Sequence, residues 1–98
     1  MLVRIVKLCL ESKHIPTFLE NFEQQKDSIR NFEGCQFLEL YQDKYHKNVV
    51  FTYSYWDNEE ALNNYRNSNL FKGIWAITKP MFADKPQAWS VDKLHSLK

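Results

Sequence analysis

The stretch Val49-Val50-Phe51-Thr52-Tyr53-Ser54-Tyr55-Trp56 decides the fold. β-Branched and aromatic residues fit a pleated surface, so this segment reads as a strand. Its side chains alternate. Val49, Phe51, Tyr53 and Tyr55 face one way; Val50, Thr52, Ser54 and Trp56 face the other. The polar segment before it, Gln42 to Asn48, reads as a hairpin loop. A second strand, Cys35 to Tyr41, precedes that loop, with Phe37 and Tyr41 on one face and Leu38 and Leu40 on the other.

Working outward, Leu2 to Leu10 forms another strand that is apolar on both faces, with Leu2, Val6, Leu8 and Leu10 against Val3, Ile5 and Cys9. Glu11 to Ile15 makes a polar connection, and Pro16 suits a first helical turn. Ile15, Phe18, Leu19, Phe22 and Ile29 then follow the spacing of an amphipathic helix. Gly34 ends that region in a left-handed turn. On the other side, Asp57 and Glu60 have the spacing of a capping box and predict a helix to about Arg66. Ser68 caps a further helical stretch in which Phe71, Ile74, Trp75 and Thr78 recur. Pro80 and Pro86 bracket its end, and Ala88 to Leu94 reads as a last strand.

The order β-α-β-β-α-β predicts one α+β domain over residues 1–98 with a ferredoxin-like antiparallel sheet and helices on one face. A sheet with one wet face alternates apolar and polar residues. These strands do not, so the face without helices needs a cover. A second copy, packed sheet to sheet through an isologous contact, is the simplest one.

Composition narrows the function. The net charge is +1 with no basic stripe, which argues against phosphate neutralisation on nucleic acid. Cys9 and Cys35 lie in no metal or redox motif and read as thiols in a reducing compartment. No run approaches the roughly 18 apolar residues of a membrane span, and the start lacks signal-peptide features. A cytoplasmic location is expected. Seven Phe, five Tyr and three Trp must fill a core, a partner surface or a pocket.

Several segments carry a family resemblance. Tyr53 through Ser68, followed by Phe71-Lys72 and Trp75, is similar to the antibiotic-biosynthesis-monooxygenase family. So are Phe82-Ala83-Asp84-Lys85-Pro86-Gln87-Ala88-Trp89-Ser90, the opening Val3-Arg4-Ile5-Val6-Lys7 and the Phe32-Glu33-Gly34-Cys35 turn. The resemblance covers almost the whole chain. It implies a dimeric α+β barrel with a pocket between sheet and helices in each subunit. Members include cofactor-free oxygenases of phenolic polyketides, quinol oxygenases, haem-degrading oxygenases and proteins with no established activity.

The haem-degrading branch relies on an Asn in the first strand, a Trp in the second helix and a His ligand beyond it. The corresponding positions here hold Lys7 or a neighbour, Tyr65 and Trp75. An indole offers only an N–H donor and cannot ligate iron.

A cofactor-free oxygenase must bind an electron-rich ring, help remove its proton and stabilise the anion. Tyr53, Tyr55, Tyr65, Phe71, Trp75 and Trp89 are the candidate pocket rings, each of which, taken singly, suits a core or a dimer contact better than a pocket. Arg66 or Lys7 is the candidate anion holder. His14, His46 and His95 fall in loops or the tail; His14 and Tyr65 are the candidates for proton transfer, Tyr65 only with a strongly lowered pKa. No ligand spacing for a metal, no phosphate loop and no nucleophile elbow occurs. Three functions stay open: a monooxygenase of small phenolic or quinol-like aromatics with no cofactor, a non-catalytic dimeric ligand-binding module, and haem binding or breakdown.

Overall fold

The computed structural model describes residues 1–98. Four strands, β1 (Leu2–Cys9), β2 (Cys35–Gln42), β3 (Val49–Trp56) and β4 (Gln87–Asp92), form one antiparallel sheet in the order β2-β3-β1-β4. Three helices, α1 (Ile15–Arg30), α2 (Glu59–Arg66) and α3 (Asn69–Thr78), pack on one side of it. This is the ferredoxin-like arrangement expected from the element order. The strand β3 has the predicted limits.

Local chemistry sets the boundaries. Pro16 lies in the first turn of α1, where its missing N–H costs nothing. Gly34 has φ +90°, and a Cβ there would stand 2.5 Å from the Cβ of Ala61. Asp43 accepts the backbone N–H groups of Tyr45 and His46, closing the β2–β3 hairpin. The start of α2 differs from the expected capping box. Asn58 is the cap, its side-chain oxygen accepting from Ala61 N–H at 2.9 Å, while Asp57 accepts from Gln36. Asn and Asp are equally good caps, and here it is Asn58 that takes the extended backbone and accepts the first-turn N–H. The start of α3 is as predicted, with Ser68 Oγ accepting from Phe71 N–H. The last strand stops at Asp92, short of Leu94, because its partner β1 ends there: Asp92 pairs with Leu2.

The helix-side core falls into two clusters. Leu8, Leu10, Phe18, Val50 and Met81 form one; Cys35, Trp56 and Leu62 form the other. Both cysteines are free thiols. The opposite face carries Val3, Ile5, Phe51, Tyr53, Tyr55, Phe37, Trp89 and Val91, placed together by the strand register. No helix covers it. Phe37 stacks on Tyr55 there, both meet Tyr53 edge-on, and Trp89 remains 44% exposed. No helix of the chain is long and apolar enough to cross a membrane.

Candidate functional site

A cavity of about 390 Å³ opens between the sheet and the three helices. Its lining draws Leu8 and Phe18 from one core cluster and Trp56 and Leu62 from the other. The reason for the gap is visible in β3. Thr52 and Ser54 lie on the helix side, between Val50 and Trp56, and their small side chains leave the space unfilled. Arg4, Val6 and Leu8 of β1 extend the floor. Phe18, Phe22 and Ile29 of α1, Tyr65 and Arg66 of α2, and Phe71, Ile74 and Trp75 of α3 make the walls.

The aromatic wall is continuous. Trp56 stacks on Tyr65 with centroids 4.9 Å apart. Tyr65 meets Phe71 edge-on at 5.2 Å, and Phe71 stacks on Trp75 at 5.8 Å. Ring pairs in these geometries gain about 0.5–1.5 kcal/mol beyond burial, so the wall is held as a unit. Trp56 is anchored further, since its Nε1 donates to Ser54 Oγ at 3.0 Å.

Of the residues singled out in the sequence, Tyr65, Arg66, Phe71 and Trp75 meet on this cavity. Tyr53, Tyr55 and Trp89 do not line it. In the register Tyr53 lies opposite Ile5, Tyr55 opposite Val3, and Trp89 opposite Ile5, all on the face away from the helices. Lys7 shares that face, opposite Phe51, and is no anion holder for the cavity. His14 also stands outside it. It precedes α1 with its Nε2 3.9 Å from Glu11. His46 sits beside Asp43 in the hairpin, and His95 is exposed in the tail. Tyr65 lacks the property a proton acceptor needs: burial pushes its phenol well above the usual range, so at neutral pH it keeps its proton.

The residue that sequence reading passed over is Arg4. It lies on the helix-facing parity of β1 with Val6 and Leu8, so a guanidinium reaches the cavity. Its Nη1 donates to Ser90 Oγ at 2.9 Å. Burial, aided by the positive charge of Arg66, holds its pKa below the ordinary value. An arginine remains charged even so. The cavity is thus aromatic on its walls, and its ionisable groups are two arginines and one protonated phenol. It can receive a flat ring and stabilise an oxyanion. No three His, Cys, Asp or Glu side chains gather to hold a metal.

The model of the antibiotic biosynthesis monooxygenase family matches residues 1–76. The chain belongs to that family. Solved structures agree on the fold. A crystal structure of an antibiotic biosynthesis monooxygenase superposes with a TM-score of 0.90 at 15% identity, covering 97% of this chain and all of that one. Rv0793 from Mycobacterium tuberculosis gives 0.88 at 12% identity, over 99% of this chain and 98% of its own. A conserved protein from Methanosarcina mazei Go1 gives 0.87 at 18%, over 95% and 93%. No curated protein matches the sequence. The matched residues of this antibiotic biosynthesis monooxygenase family member include β1 to α2 and most of α3, and so most of the cavity lining.

Proposed function

We propose that this protein is a cofactor-independent monooxygenase of a small phenolic or quinol-like aromatic, working as a homodimer. The observation that carries the reading is the cavity: ring-walled, with two guanidinium groups at its lining and space left by Thr52 and Ser54. Membership of a family named for monooxygenases supports the reaction class.

The substrate ring lies along Tyr65, Phe71 and Trp75. The positive field of Arg4 and Arg66 at the cavity favours a bound phenolate over the phenol, without requiring that either arginine contact the phenolic oxygen. The proton leaves to water, because no group on the wall accepts it at neutral pH. The phenolate is the electron donor. One oxygen atom of O2 enters the ring carbon as a carbonyl and the other leaves as water, so a phenol becomes a quinone. All four electrons come from the substrate. The protein binds, orients and holds the anion.

A purely binding role is the second reading, favoured by the lack of a neutral-pH base on the cavity wall. Oxygen uptake with a panel of quinols and dihydroxyaromatics separates the two. Protein-dependent uptake is expected, reduced about tenfold or more in Trp75→Ala with the fold retained. No uptake across the panel, together with tight ligand binding, would leave the binding module.

A further inference from the structure

The two arginines on the cavity have no counter-charge. Arg4 rises between Ser54 and Ser90, its direct partners on β3 and β4. Arg66 comes from the last turn of α2. The ion pairs of the chain all lie elsewhere, at Glu11, Glu23 and Asp43, and no carboxylate lines the cavity. Ser90 takes one of the five N–H donors of Arg4. Arg4 is half-buried and Arg66 stands exposed at the rim, so the two place positive charge and spare donors at one end of a largely apolar space, where an anion would find both.

The cavity also sets the shape of what binds. Arg4, Val6 and Leu8 lie on its floor, so it runs along β1 for about 13 Å between the first and last of these. One end is cationic; the other, at Leu8 and Phe18, is apolar. A volume of about 390 Å³ is at the small end for a ligand site. We propose that the occupant is a planar aromatic acid, its carboxylate held by Arg4 and Arg66 and its ring body directed along the Phe71–Trp75 wall. The proposal rests on reading this cavity as the substrate site, but needs no oxygen chemistry. Carboxylate and guanidinium are matched forks, which makes the acid a better partner than a single phenolate oxygen.

Isothermal titration at pH 7.5 in low salt tests this with three probes of one ring size. The probes are 2-naphthoate, 2-naphthol and 2-naphthalenemethanol. The acid is expected to bind roughly ten- to a hundred-fold tighter than the methanol, as for charged hydrogen bonds. Arg4→Met and Arg66→Met should each remove about tenfold of that preference. Arg66 lies on an exposed part of α2, so its variant reads the effect even where Arg4→Met fails to fold. Equal affinity for acid and methanol, or a preference untouched by Arg66→Met, overturns the proposal. Tighter binding of 2-naphthol than of 2-naphthoate also overturns it and assigns the arginines to a phenolate. Tight acid binding without oxygen uptake in any assay keeps the proposal and sinks only the oxygenase reading.

Discussion

Tyr65 shows how burial decides what a side chain does. Its phenol is held well above the usual range, whereas in the unfolded chain it ionises near pH ~10. Above that pH the unfolded state binds fewer protons than the folded state, so stability falls as pH rises. The contribution is complete below about pH 10 and is lost as pH climbs through the raised value. Tyr65→Phe is therefore expected to flatten the alkaline limb by up to about 1.4 kcal/mol per pH unit. Urea midpoints of both proteins across the alkaline range measure this; parallel curves would show that the phenol is not shielded. Arg4 teaches the complementary lesson. Its place on the parity of Leu2, Val6 and Leu8 was readable in the sequence, since a charge on an apolar strand face is the informative exception. What sequence left hidden was the side of the sheet the helices take. Phe51, Tyr53 and Tyr55 make the greasier face of β3, yet the helices pack over Thr52 and Ser54. Alternation separates two faces without labelling them.

At the scale of elements, two glycines make opposite demands. Gly34 turns the chain from α1 into β2 with φ +90°, pressed against Ala61 of α2. Gly73 sits inside α3 with nothing within 4 Å of a prospective Cβ. Replacing each by alanine is expected to move stability in opposite directions. Gly34→Ala loses about 1–3 kcal/mol through backbone strain and the collision with α2. Gly73→Ala gains about 0.5–1 kcal/mol, the ordinary difference between these residues in a helix. Thermal melts of the two variants test this, and a stabilised Gly34→Ala would contradict the turn geometry. Helix limits were legible here because Pro16, Gly34 and Ser68 each have a local job. The cap of α2 was misread by one residue because Asp57 and Asn58 are both able caps, and the backbone turns into the helix at Asn58.

At the scale of the molecule, the helix-free face is the surface that this chain leaves uncovered by its own helices. Phe37, Tyr41, Tyr53 and Tyr55 form a ladder of rings across β2 and β3, and Trp89 and Val91 continue the apolar face on β4. Lys93 lies 4.0 Å over the ring of Tyr55. A second subunit covering this face is expected to keep the protein dimeric at micromolar concentration. Tyr53→Arg places a charge in the middle of the ladder and should weaken association by about 2 kcal/mol or more, seen as a shift to monomer in sedimentation velocity. Unchanged sedimentation would mean that another surface joins the subunits. The expectation of a cover, and of a second copy as the simplest one, came from the two-faced strands alone.

The sheet is a thin partition with two tenants. Arg4 belongs to the chamber beneath it, and its neighbours Val3 and Ile5 belong to the helix-free face above. Losing a single residue from β1 or β3 would swap those allegiances along the rest of the strand, setting a guanidinium on the helix-free face or crowding the chamber with rings. The two strands tolerate changes of letter far better than changes of count.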